Sequence, residues 1–263
     1  MKALGKIAKV TKTFKISAWR ENITLRQSLL AFLIFLALTL LLSPKNLQLG
    51  KIVGIGLLVL GTLFALAIYL YKYQKEVLTS SRLVLLLGLI LITLVFAARI
   101  ITPFFPGYLI PVAGIAMLVT ILFDYKLAIV TVLGASIFTG IITGNHSEYI
   151  MVGALSGLLA VYTVSQVSER SELTRAGFLV SIGLAYLTFA VSLVMGHTFI
   201  ETLRNAGWGL LSGISSAVLT IGTLPFLESV FHITTPLRLL ELSSPNQPLL
   251  KELMINCWDY PNF

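Results

Sequence analysis

The residues of this chain best suited to hold a metal or act as nucleophiles are three histidines, His146, His197 and His232, and one cysteine, Cys257. None of them shares a ligand spacing with another, no histidine stands beside an aspartate, and no glycine-rich phosphate loop ends in Lys-Ser or Lys-Thr. A lone cysteine forms no internal disulfide and says nothing about the redox compartment. We therefore assign no catalytic residue and no metal ligand, and expect no cofactor. The polar groups that remain lie at the edges of apolar runs. Arg99, His146 and Glu148 are the candidates to line an outer pocket, set against the plainer reading that Arg99 snorkels to an interface and the other two are solvated turn residues. Thr139, Thr143, Ser212, Ser215, Ser216, Thr220 and Thr223 either line a polar cavity or bond the carbonyls of their own preceding turn.

These groups must be positioned by elements of unusual composition. Of 263 residues, 57% are hydrophobic and only 11% charged, whereas charged residues make up about a quarter of a soluble domain. The apolar residues fall in runs near 28–43, 52–71, 83–101, 108–123, 127–144, 149–166, 176–196 and 206–227. Such runs match about 30 Å of hydrocarbon at about 1.5 Å per helical residue. The expected fold is therefore all-α, a polytopic bundle of about eight transmembrane helices with the bilayer as principal partner. The tight links around Asp124 and Asn145 are where that number is most open to revision. A net charge of +8 raises the question of nucleic acid, but 15 of the 19 Lys and Arg fall on one side of the threaded chain. The positive-inside rule then puts both termini in the cytoplasm and removes nucleic acid as a partner.

Pairs of glycines four residues apart recur at Gly140 and Gly144, Gly153 and Gly157, and Gly209 and Gly213, with Ser136 and Ala217 extending two of the rows. Small residues at this spacing let helix backbones approach closely where lipid removes the hydrophobic incentive to associate. Ahead of the first run, Lys2, Lys6, Lys9, Lys12 and Lys15 recur opposite Leu4, Ile7, Val10 and Phe14. That pattern suits an interfacial helix on anionic lipid, or else a basic tail that only sets orientation. The run at 28–43 follows basic residues as a signal peptide would. No small-x-small cleavage pattern follows it, so it reads as a retained anchor.

After the eighth run, Thr235-Pro236 and Ser244-Pro245 with Gln247 are helix-start signals, and Leu237, Leu240, Leu249, Leu250 and Leu253 give the following segments an apolar face. The stretch 231–254 resembles the junction between membrane region and catalytic domain in the seven-transmembrane HD family, bacterial phosphodiesterases of cyclic di-AMP. Tyr108-Leu109-Ile110-Pro111-Val112-Ala113 with Asp124, and Glu169-Arg170-Ser171-Glu172-Leu173-Thr174-Arg175-Ala176-Gly177, are also similar to that family's membrane region. The resemblance covers about 70–254. It implies that Thr235, Pro236, Arg238, Glu241, Pro245, Asn246 and Pro248 form a junction to a metal-binding HD domain.

Two departures qualify the resemblance. Only 44–51 separates the first two runs, too little for the family's large extracellular domain, and the chain stops at Phe263 before the first HD histidines. The expected organisation is a basic cytoplasmic segment at 1–26, an anchor and short outer loop at 27–51, a seven-helix membrane domain at 52–230, and a truncated cytoplasmic junction at 231–263. The expected function is a receptor-like sensor or anchor in a bacterial plasma membrane, without phosphodiesterase activity of its own, working with a separate HD-domain protein or as a homo-oligomer. A small transporter or substrate-binding membrane subunit is the alternative, and a purely structural membrane protein a third reading.

Overall fold

The computed structural model describes residues 26–43, 49–167 and 170–231. Among them every regular element is a helix. In chain order these are α1 (Arg26–Leu42), α2 (Leu49–Tyr73), α3 (Lys75–Thr79), α4 (Ser81–Ile101), a 3-10 turn (Gly107–Leu109), α5 (Val112–Leu122), α6 (Tyr125–Ile142), α7 (Ser147–Val164), α8 (Arg170–Val194) and α9 (Phe199–Phe231). All eight apolar runs are helical, and six of the helices, α2, α4, α6, α7, α8 and α9, are long and apolar enough to cross a membrane. The expected N-terminal amphipathic helix and the junction residues Thr235, Pro236, Arg238, Glu241, Pro245, Asn246 and Pro248 lie outside the described residues.

Two segments differ from a simple crossing. The fourth run is interrupted, because Pro111 has no N–H to continue a helix and separates the 3-10 turn from the 11 residues of α5. At about 1.5 Å per residue, α5 is about 17 Å long, well short of a bilayer. Ten of its 11 residues are buried, the mark of a helix that is apolar all round and enclosed by protein. The runs at 176–196 and 206–227 underestimate α8 and α9, which begin at Arg170 and Phe199. Hydropathy stops at Glu172, Arg175, Glu201 and Arg204, whereas the helices continue through them, since charged straight-chain residues are good helix formers. The start of α9 is fixed by a capping box. The Thr198 backbone N–H donates to Glu201 Oε2 at 3.0 Å, its hydroxyl reaches the same oxygen at 2.8 Å, and the Glu201 N–H returns to Thr198 Oγ1 at 3.4 Å. α9 has 33 residues and passes through Pro225.

The described residues form two compact units. One takes the chain up to Ile110 together with Leu133–Ile150, and the other takes Pro111–Val132 with Met151 onward. In the first, α1 is fastened at both ends. Gln27 Nε2 donates to the carbonyls of Leu78 and Thr79 at 2.6 and 2.8 Å, and Arg99 Nη2 donates to the Ser43 carbonyl at 2.6 Å. Between these ties Ile34 lies against Gly88 of α4, where a Cβ would collide with it. Leu38 of α1 and Leu86, Ile90, Leu94 and Val95 of α4 are buried.

In the second unit α8 and α9 are joined along a face of small and hydroxyl residues. A Cβ on Gly213 would run into the backbone Cα of Ser181, one on Gly209 would meet Thr188 and the Leu184 carbonyl, and Gly177 sits against Ala217. The buried face of α9 runs through Thr202, Asn205, Gly209, Ser212, Gly213, Ser216 and Thr220. On α5, Gly114 comes within 3.3 Å of the Ser216 backbone when given a Cβ, and Thr220 Oγ1 reaches the Gly114 carbonyl at 3.3 Å. Close approach of this kind gathers van der Waals contact, which is what holds helices together in lipid.

Candidate functional site

The polar groups with most chemistry available to them gather at the turn between α6 and α7. The turn is set by backbone geometry. Gly144 (φ +89°) and Asn145 (φ +67°) are left-handed, the Asn145 N–H bonds the Gly140 carbonyl at 2.8 Å, and the Gly144 N–H faces the Ile141 carbonyl at 3.4 Å. This is a Schellman closure, which requires a residue with no steric objection to positive φ. Gly144 therefore ends α6 and takes no part in helix packing, which corrects its reading as half of a Gly140–Gly144 packing pair. Gly140 itself lies against Ile150.

Glu148 stands in the first turn of α7, where the helix dipole favours a carboxylate. Its Oε2 accepts from the Tyr108 hydroxyl at 2.8 Å. Tyr108 is only 4% exposed and is delivered by the 3-10 turn that follows Pro106. The Tyr108 ring meets that of Tyr149 edge-on at 4.7 Å between centroids, and the exposed imidazole of His146 meets the Tyr149 ring at 5.9 Å. Gly107 has to be glycine for this to close up, because a Cβ there would come to 2.6 Å from Thr143 Cγ2 and 3.0 Å from the Tyr149 ring. The result is a carboxylate oriented by a buried phenol beside an accessible imidazole. Such an arrangement can offer hydrogen bonds to a small polar ligand or respond to a change at the surface. Among the described residues no group of three or more His, Cys, Asp and Glu is placed to hold a metal ion.

His146 and Glu148 are thus brought together through Tyr149 and Tyr108, neither of which the sequence reading named as a site residue. The usable signal was the Pro106-Gly107-Tyr108 turn, an aromatic set by proline and glycine opposite a second helix start. Arg99 is half-buried and holds the carbonyl at the end of α1, a favourable place for a cation at a helix C-terminus.

The hydroxyls that were candidates to line a cavity mostly turn back on their own helices. Thr139 bonds the Ser136 carbonyl at 2.7 Å, Thr143 that of Thr139 at 2.9 Å, Ser215 that of Ser212 at 2.9 Å, Thr220 that of Ser216 at 2.8 Å and Thr223 that of Leu219 at 2.6 Å. Each thereby satisfies a donor that would be costly to leave bare in lipid. Among the described residues Ser216 Oγ and Thr202 Oγ1 are buried without a hydrogen-bond partner, and Asn205 Nδ2 reaches Ser192 Oγ at 3.3 Å. Gly157 is tight against the Val132 side chain, and Gly153 is buried on the same helix. Glu228, 3% exposed in the last turns of α9, escaped the sequence reading because it stands at the edge of an apolar run.

Residues 49–235 match the family described as 7TM receptor with intracellular HD hydrolase. Among curated proteins, the chain is 30% identical over 234 residues to the cyclic-di-AMP phosphodiesterase PgpH of Bacillus subtilis, covering 83% of this chain and 33% of that one. It is 29% identical over 154 residues to the protein of the same name from Listeria monocytogenes, covering 57% and 21%. An uncharacterised protein of Synechocystis is 38% identical over 112 residues, covering 40% and 14%. The chain therefore spans a third or less of the length of these curated relatives. No solved structure matches it.

Proposed function

The chain belongs to the family of 7TM receptors with intracellular HD hydrolase, and from that membership we propose that it is the membrane-embedded sensor or anchor module of a bacterial cyclic-dinucleotide signalling protein. It is a multi-pass membrane protein, and the region it shares with its relatives is the membrane part. The observation that carries the proposal is the match over 49–235, which takes in every described helix from α2 to α9. The two relatives named as cyclic-di-AMP phosphodiesterases supply the signalling context. In this reading the module sits in the plasma membrane with both ends in the cytoplasm, as the distribution of Lys and Arg supports. The Tyr108, Glu148, Tyr149 and His146 cluster then faces outward and is where a signal would be received. The response passes to an intracellular HD hydrolase, and the partners we propose are an HD-domain protein or a second copy of this chain.

The purified 263-residue chain is expected to leave cyclic di-AMP intact in the presence of manganese or iron, and hydrolysis by that preparation would contradict the division of labour. A thermal-shift screen in detergent against amino acids, vitamins and metal ions tests the sensing role, because any ligand of the folded form stabilises it in proportion to occupancy. A stabilising ligand whose effect disappears in Glu148→Gln assigns reception to the cluster. Stabilisation that survives that change places it elsewhere. Reporter fusions at the two ends test the orientation, and reporters active on opposite faces would overturn it.

A further inference from the structure

A groove of about 640 Å³ opens at the C-terminal end of α2, lined by Ala67, Ile68, Tyr71 and Lys72 of that helix and by Lys75 and Leu78 of α3. We propose that it binds the headgroup and upper acyl chain of an anionic phospholipid. Its position argues first. α2 is a 25-residue apolar helix, and its last turns carry Tyr69, Tyr71, Tyr73, Lys72 and then Lys75, the aromatic and cationic girdle found where a membrane helix leaves hydrocarbon.

The groove is also built rather than incidental. α3 follows directly after Gln74, and its end is pinned by Gln27, which donates to the carbonyls of both Leu78 and Thr79. The two ammonium groups are held over aromatic faces, Lys72 Nζ at 5.3 Å from the Tyr73 centroid and Lys75 Nζ at 5.6 Å from that of Tyr71. Tyr69 and Tyr73 are themselves paired at 5.1 Å.

Charge selects the occupant. Among the described residues the lining has two cations and no carboxylate, so a phosphodiester fits between the lysines while Ala67, Ile68 and Leu78 offer an apolar wall to the chain below. Ile68 is 51% and Tyr71 68% exposed, which leaves that wall open to lipid. A zwitterionic lipid would bring its own ammonium to the same two cations and lose the advantage.

The test uses the full chain in phosphatidylcholine nanodiscs with increasing phosphatidylglycerol, read by native mass spectrometry of retained lipid and by the shift in melting temperature. Retention of phosphatidylglycerol over phosphatidylcholine is expected. At about 1 kcal/mol per lysine near an anionic surface, K72Q/K75Q should weaken that preference by roughly 30-fold. A second variant, A67F, fills the groove and keeps both charges, and it should also reduce retention. Each variant is read against its melting temperature in pure phosphatidylcholine, so that a folding defect shows itself. Equal retention of the two lipids by the native chain, or undiminished preference in either folded variant, would overturn the proposal. Stabilisation of the native chain by inorganic phosphate alone would mean an ion site in place of a lipid site, and would equally overturn it.

Discussion

Glycine is spaced alike in two helices of this protein and used differently in each. In α2, a Cβ on Gly50, Gly54 or Gly61 would meet nothing within 4 Å among the described residues, and only Val59, Leu66 and Leu70 of that helix are buried. In α9, Gly209 and Gly213 stand against the backbone and hydroxyls of α8, within a continuous buried face. Both helices contain a Gly-x-x-x-Gly step. What separates them is the surface opposite. α8 presents Gly177, Ser181 and Thr188 to α9, so two small faces can close, whereas the residues around the α2 glycines, Leu49, Val53, Leu57 and Phe64, are largely exposed. Spacing permits close approach, and the partner decides whether it happens.

The largest test of this contrast is Gly213→Val. Its side chain would be driven into the Ser181 backbone, which cannot swing aside as a flexible side chain can, and the unfolding free energy should fall by about 3 kcal/mol or more. Denaturation in mixed micelles would measure it, and native-like stability would mean the α8–α9 contact is looser than described. Next comes the α6–α7 turn. Tyr108→Phe leaves Glu148 without its buried donor and should cost about 1–2 kcal/mol, and in a double-mutant cycle with Glu148→Gln the two losses should not add. Additive losses would show that the 2.8 Å hydrogen bond carries no energy.

Gly144→Ala forces a side chain into the left-handed region at a cost of about 1 kcal/mol with no change in helix packing. A larger cost would restore Gly144 to a packing role. The smallest effect belongs to Gly54→Ala, expected within about 0.5 kcal/mol of the native chain, since nothing awaits the added methyl and alanine is the better helix former. A marked loss there would reveal a partner surface on α2.

The positions of the eight helical segments could be read from hydropathy because lipid imposes a single requirement, a long uncharged run, on every crossing. What hydropathy missed follows from the same cause. It registers burial in lipid, so it stopped short at Glu172 and Glu201, where helix continues into polar surroundings. It also read the fourth run as one continuous helix, although Pro111 divides it into a 3-10 turn and the short α5. At the candidate site, His146 and Glu148 could be picked out because polar residues at a tight turn are conspicuous. Tyr108 could not, since what joins it to Glu148 is a contact 40 residues apart in sequence, and Tyr149 joins the site through its ring contact with Tyr108. Gly144 looked like a packing residue because spacing is blind to φ.

The length of α9 has a mechanical corollary. Thirty-three residues make a rod of about 50 Å, against about 30 Å of hydrocarbon, so roughly 20 Å of it stands in headgroups or water however the bilayer is drawn. Such a post acts as a lever, because a small tilt within the lipid becomes a larger sideways travel at its far end. Pro225, having no N–H to give the Ile221 carbonyl, marks the joint where that lever bends most easily.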